Sequence, residues 1–235
     1  MARKKVVLFI VEGINDKTCL ESVLSKIIDS NEVRFQITEG DITSKDNIDE
    51  FKIRNEIGKI VKSFKDKYRL NPEHFMEVVH IIDTDGAFIE DKSVIYADVE
   101  EPQYFDDGIR TKNVDNIVNR NHRKKAIIER MLKISSVLKS IPYSVFYFSS
   151  NMDHVLHGKA NLAQKEKNEY ANTFDDRFAD DPDGFMELMC KSPFAVNGTY
   201  EESWKYIKEG NNSVCQHSNF CVYLKRYSCL RHCHT

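Results

Sequence analysis

Apolar positions along the chain fall into runs of two kinds. Residues 4–12, "KKVVLFIVE", and 75–83, "FMEVVHIID", are nearly continuous apolar stretches rich in β-branched residues, each closed by an acid. Such runs predict strands buried on both faces of a parallel sheet, where polar and apolar positions need not alternate. "VRFQIT" (33–38) and "YSVFYFS" (143–149) predict two more strands. Between the strands the period changes. Leu20, Val23, Leu24, Ile27 and Ile28 recur at helical spacing behind Asp16, the expected N-cap. Ile53, Ile57, Ile60, Val61, Phe64 and Tyr68 line one face of a second helix, and Ile127, Ile128, Met131, Leu132 and Leu138 mark a third. Residues 93–108, "SVIYADVEEPQYFDDG", predict only a short edge strand and a loop. After Asn151 the pattern is helical or irregular. The alternation predicts an α/β fold of about four parallel strands flanked by helices, with an α-helical C-terminal portion. It divides into a core over residues 1–158 and a helical extension over 159–235, which supplies no second sheet and is expected to pack on that core.

Composition narrows the class. At 235 residues and 27.4 kDa the chain can bury one sizeable core. No apolar run approaches the roughly 18 residues of a membrane-spanning helix, so no membrane segment is expected. The start, "MARKKVVLFIVEG", has the basic and apolar parts of a signal peptide, but Glu12 ends the apolar part early and no small-residue cleavage site follows. It reads as the first strand of a cytoplasmic protein. A net charge of −3 and a pI near 6.3 argue against a surface coated in basic residues for nucleic acid. They leave room for local strips, one containing Arg110, Lys112, Arg120, Arg123, Lys124 and Lys125, another Lys59, Lys62, Lys65, Lys67 and Arg69. Each strip alone reads first as a solvated helix face. Cys215, Cys221, Cys229 and Cys233 are interleaved with His217, His232 and His234, yet without a CxxC pair they read as reduced thiols before they read as a zinc site.

The candidate chemistry lies at the strand ends. Ligands of an open parallel sheet bind outside the carboxyl ends of its strands, where Glu12 follows the first strand and Asp83 and Asp85 follow the third. Carboxylates gathered there repel one another unless a cation neutralises them, and all-oxygen ligation favours Mg²⁺ or Mn²⁺ over zinc. Gly13 and Gly86 suit a sharp turn or a close phosphate approach. Taken singly, Glu12 and Asp16 also read as a helix-capping pair, and Asp83 and Asp85 as ordinary loop acids. His154 and His157, at i, i+3 spacing, read as packing or phosphate contacts rather than ligands, and His80 as a structural residue inside its strand.

"VEGINDK" followed by "IIDTDG" resembles the Toprim domain, whose signature is a glutamate after the first strand and Asp-x-Asp after a later one; the resemblance covers roughly residues 5 to 155. It implies a Rossmann-like sheet and Mg²⁺-dependent breakage or formation of phosphodiester bonds. It also implies that Glu12, Asp83 and Asp85 are metal ligands, with Asp16 at a second metal because nuclease members resemble this "EGxND" form. "SNMDHVLHG" after the last strand is similar to the overcoming-lysogenization-defect (OLD) nucleases, which place an acid at the start of the following helix; Asp153 takes that place, where those nucleases more often carry glutamate. The resemblance points to a nuclease acting on DNA or RNA, of a kind met in anti-phage systems and RNA processing. Lys112, Arg123 and Lys124 are then expected to touch the nucleic-acid backbone. The chain has no P-loop, whereas larger OLD nucleases carry a fused ATPase, so a separate ATPase subunit is an expected partner.

Two other classes compete. "IIDTDGAF" also resembles the nucleophile motif of haloacid-dehalogenase phosphatases, with Asp83 as nucleophile and Asp85 as acid. That motif usually opens its domain and is followed by Thr or Val after the glycine, whereas here 79 residues precede the strand's last part and Ala87 follows. A Toprim domain without activity, serving as an interaction subunit, is the non-enzymatic reading.

Overall fold

The computed structural model describes residues 4–28, 31–38 and 40–231, the last four of them as backbone only. Of the Cys/His-rich end, the Cys229 side chain, His232, Cys233 and His234 lie outside the described residues.

Each long apolar run is a strand. The elements are β1 (Val6–Val11), α1 (Ile14–Ile27), β2 (Glu32–Ile37), α2 (Ile53–Lys67), β3 (Phe75–Asp83), β4 (Val94–Tyr96), β5 (Gln103–Phe105) and β6 (Gly108–Thr111). They continue as α3 (Val114–Met131), β7 (Ser136–Val137), β8 (Ile141–Phe148), α4 (Met152–His157), α5 (Gln164–Phe178), α6 (Pro182–Lys191), α7 (Tyr200–Tyr206) and α8 (Phe220–Arg231). The central sheet has the order β2-β1-β3-β8-β7. Its first four strands run parallel, and β7 is a two-residue antiparallel edge.

The six residues of β1 are all buried because both faces of the sheet are covered. Val6, Leu8 and Ile10 point into a core shared with Ile57 and Val61 of α2 and Ile128 of α3. Val7, Phe9 and Val11 point the other way, onto Leu20 and Leu24 of α1 and Phe220 and Tyr223 of α8. A side chain such as Phe9 contributes roughly 2–3 kcal/mol by that burial. Helices α5, α6 and α8 thus cover one face of the sheet, while Trp204 of α7 packs into the core on the other: the Tyr223 ring lies 5.7 Å from Phe9, and Ser218 forms a backbone bridge with Phe148. No helix among the described residues is long and apolar enough to cross a membrane.

Three local expectations are corrected. Residues 93–108 do not form one edge strand and a loop; with 109–111 they form a separate three-stranded sheet, β4-β6-β5, over its own small core of Ile89, Val94, Ile109, Ile117 and Val214. Leu138 is not on the third helix, which ends at Met131; it lies in the turn between β7 and β8 with φ of 44°. Asp16 is not the N-cap of α1. Gly13 holds that position, and Asp16 reaches back three residues to accept the Gly13 N–H at 2.8 Å.

Candidate metal centre

The parallel register brings Glu12 and Asp83 to the same carboxyl edge, on neighbouring strands. Glu12 Oε1 accepts the backbone N–H of Asp83 at 3.1 Å. Asp83 Oδ1 in turn accepts the N–H of Met152, at the start of α4, at 3.0 Å. With Asp16 on Gly13, three carboxylates are each aimed by a main-chain amide, a fixed and charge-assisted anchor. Asp153, one residue into α4, pairs with Lys167 of α5 at 3.3 Å.

Asp85 is held differently. Thr84 to Ala87 form a turn closed by the Ala87 N–H on the Thr84 carbonyl, with φ of 47° at Asp85 and 71° at Gly86. Positive φ at both central residues is the I′ pattern, which an aspartate and a glycine tolerate. A Cβ on Gly86 would stand 2.7 Å from Val214 Cγ1, so this position requires glycine; Gly13 has φ of −133° and ordinary space around it. The turn is tied down from the C-terminal side. The Ser213 carbonyl accepts from Gly86 N, Ser150 N and Thr84 Oγ1, and Ser213 Oγ accepts from Phe88 N. Arg120 adds a clamp, donating Nη2 to the Asp85 carbonyl at 2.7 Å and Nη1 to the Tyr104 hydroxyl at 2.8 Å.

The Asp85 carboxylate meets Lys124, whose Nζ lies 2.5 Å from Asp85 Oδ2 and 2.6 Å from Asp41 Oδ2. Asp41, just past β2, is itself fixed by the Thr43 amide and by the hydroxyls of Thr43 and Ser44. The basic run around it predicts Lys124 on a surface strip contacting nucleic acid. That is corrected: its side chain is 0% exposed, and it is an internal cation of the acidic cluster. Arg123 and Lys112 do lie partly exposed, but their charges are engaged by Asp46 at 2.7 Å and Asp98 at 3.0 Å.

The electrostatics follow from crowding in a desolvated edge. Desolvation, then Asp41 and Asp83, push Glu12 well above the usual carboxylate range; desolvation, then Asp16 and Asp85, do the same to Asp83. Asp16 rises to about 6, chiefly by desolvation and then through Asp153, against the pull of its hydrogen bond from Gly13. Asp41 goes the other way. Desolvation opposes its ionisation, but the Lys124 ammonium outweighs it and holds Asp41 below its ordinary value. Lys124, for its part, meets desolvation as the largest single influence against its charge, but Asp41, Asp85 and Glu12 together outweigh it and raise the ammonium above its ordinary value.

Two clefts open on this cluster and share Asp83 and Lys167 as their common ridge. One, of about 330 Å³, is lined by Glu12, Asp16, Asp41 and Asp153. The other, of about 580 Å³, is lined by Asp85, Glu100 and Tyr104, with Asn161 opposite. Asn161 bonds both main-chain groups of Tyr104 at 2.9 Å, joining the small sheet to the segment after α4.

The five predicted acids, Glu12, Asp16, Asp83, Asp85 and Asp153, therefore gather on one edge. Among the described residues no three His, Cys, Asp or Glu side chains converge closely enough to chelate an ion as they stand. The donor set nonetheless fits Mg²⁺ or Mn²⁺: it is all oxygen, borders open clefts, and holds six carboxylates against the ammoniums of Lys124 and Lys167. His154 and His157 are not among these acids' hydrogen-bond partners; His157 packs on Tyr170 and Phe174, and desolvation lowers both imidazoles. His80 is buried in β3 against the Tyr143 hydroxyl at 2.9 Å. Cys215 and Cys221 bond separate carbonyls, those of Asp106 and Val196.

Asp41, Lys124 as a buried group, and Lys167 escaped the sequence reading. A signal existed for Lys124: it shares the apolar stripe of α3 with Ile117, Asn121, Ile128 and Met131, a place where a charged side chain must find an internal partner. Asp41 in "EGDITSKDN" has no such mark.

Compared with known proteins, the chain matches no family model, no curated protein and no solved structure.

Proposed function

We propose that the protein is a Mg²⁺- or Mn²⁺-dependent nuclease of Toprim type, hydrolysing phosphodiester bonds of DNA or RNA. One observation carries this reading. Glu12 and Asp83 stand on adjacent parallel strands, linked by the 3.1 Å hydrogen bond, with Asp16, Asp85 and Asp153 around the same two clefts. Desolvated carboxylates of this number repel at neutral pH, and a divalent cation is the partner that relieves the repulsion.

Glu12, Asp83 and Asp85 would hold the ion, with Asp16 and Asp153 sharing the smaller cleft with Glu12, and Asp85 facing the larger one across Asp83. When bound, the ion supplies Lewis-acid stabilisation of charge on a phosphoryl group. The chain's own part is positional. Main-chain amides fix the directions of Glu12, Asp16 and Asp83, and the Arg120-clamped turn fixes Asp85. Lys167, on the ridge between the clefts, is placed to meet a phosphate oxygen.

The test is incubation of the purified protein with plasmid, single-stranded DNA and structured RNA, with Mn²⁺ and with chelator. Metal-dependent cleavage that is abolished in Asp83→Asn is the expected result. Release of phosphate from small esters without any nucleic-acid cleavage overturns the reading.

A further inference from the structure

A fully buried lysine among carboxylates calls for a reason. Lys124 does not face solvent, and it forms two contacts: to Asp41, which three groups of its own loop hold in place, and to Asp85, which sits on a turn facing the larger cleft. The two partners are unequal. Asp41 is tied by its side chain to the Thr43 amide and hydroxyl and to Ser44, whereas the Asp85 side chain accepts from Lys124 and its turn is fixed through the backbone. The ammonium thus occupies the side of Asp85 that a ligating carboxylate would have to free.

We infer that Lys124 is a resident counter-ion that exchanges with a divalent cation: it neutralises Asp41 and Asp85 in the metal-free protein, and gives up Asp85, while keeping Asp41, when the cation binds. This rests on the metal-centre reading above. It explains why the acids line open space and still fail to converge: a monovalent cation already balances the pair nearest the cleft. It makes Asp41 and Lys124 positioning residues. Asp41 keeps the lysine in the protein after Asp85 leaves it, so that no unpaired ammonium is left buried.

The experiment measures Mn²⁺ binding by calorimetry and metal-free melting, in chelator, for wild type, Lys124→Met, Asp41→Asn and the double variant. Methionine matches the lysine stem without its charge. Lys124→Met should bind Mn²⁺ on the order of tenfold tighter or more, because a competing positive charge is removed from the seat. Its metal-free melting temperature should fall, and saturating Mn²⁺ should recover more of it than in wild type. Asp41→Asn should weaken Mn²⁺ binding, since the lysine then rests on Asp85 alone. The double variant should bind more tightly than Asp41→Asn, because without the lysine the loss of Asp41 leaves no buried ammonium to hold Asp85 against the cation. Should Lys124→Met not fold, Asp41→Asn alone decides: unchanged or tighter binding overturns the inference. Folded Lys124→Met with unchanged or weaker Mn²⁺ binding also overturns it, as does a double variant as weak as Asp41→Asn, which would make Asp41 a direct ligand. The outcomes separate the two readings. Metal binding that follows this order without cleavage of any nucleic acid sinks the nuclease reading alone, and cleavage with the wrong order sinks the exchange alone. No Mn²⁺ binding by wild type removes both.

Discussion

The two glycines after the acidic motifs look equivalent in the sequence, and the structure separates them by an amount that can be measured. Replacing Gly86 with alanine forces a side chain to accept φ of 71°, a left-handed conformation that costs an L-residue roughly 1–2 kcal/mol. The new Cβ also meets Val214 Cγ1 at 2.7 Å and Ile109 Cδ1 at 3.0 Å, and both of those residues are fully buried. Val214 is stiff at χ1, so its contact is relieved only by a shift of the turn, while Ile109 can swing its Cδ1 about χ2, together at about 1–3 kcal/mol of overpacking. The sum is about 2–5 kcal/mol of folding stability. Gly13→Ala, at φ of −133° with its nearest foreign atom 3.7 Å away, meets no clash and should lose only glycine's N-cap advantage over alanine, about 1 kcal/mol or less. Urea unfolding of both variants in chelator reads the difference directly. Because the turn sets the direction of Asp85, Gly86→Ala should also lose Mn²⁺-dependent cleavage at temperatures where it remains folded. Equal stabilities for the two variants would show that the left-handed turn is not the native arrangement.

Asp83→Asn keeps an oxygen for the Met152 amide and removes a charge whose ionisation the desolvated site resists; metal-free melting should stay level or rise, while cleavage falls on the order of 10²-fold or more. A fall in melting temperature with cleavage intact would contradict both halves. His80, whose pKa burial lowers to about 4, stays neutral in the fold down to that pH, while the unfolded chain binds its proton near 6.5. Its stability contribution is therefore whole above pH 6.5 and shrinks as pH falls toward 4, by about 3 kcal/mol in all, so the gap between wild type and His80→Gln should narrow over that window in denaturant titrations. Phe220→Ala should cost about 3–5 kcal/mol, since the ring is 0% exposed and packs on Phe9, Phe146 and Phe148; a loss under 1 kcal/mol would show the C-terminal helices to be separable from the core.

The strands that carry the site were legible because burial on both faces leaves an unbroken apolar run, and the acids of β1 and β3 stand where those runs stop. Helices α1 and α2 were legible from their stripes. The small sheet was not: β4 and β5 are three residues each, and Ile95, Tyr96 and Phe105 are exposed, so no period can form. Lys124 is masked in the sequence by Arg120, Arg123 and Lys125, which give the segment the look of a solvated face, whereas its position on the apolar face of α3 determines its environment. Asp41 gains its meaning only from a partner 83 residues away, and no local pattern encodes that distance.

The knot that Ser213 ties around Thr84, Gly86 and Ser150 also bears on the order of synthesis. A ribosome that has just completed Asp153 has already made every predicted ligand, yet the turn that aims Asp85 still lacks its fastener, Ser213, 60 residues further along the chain. Contacts of such long sequence separation form late and are lost early. A chain broken off between Asp153 and Ser213 thus carries all five acids without the fastener that aims Asp85.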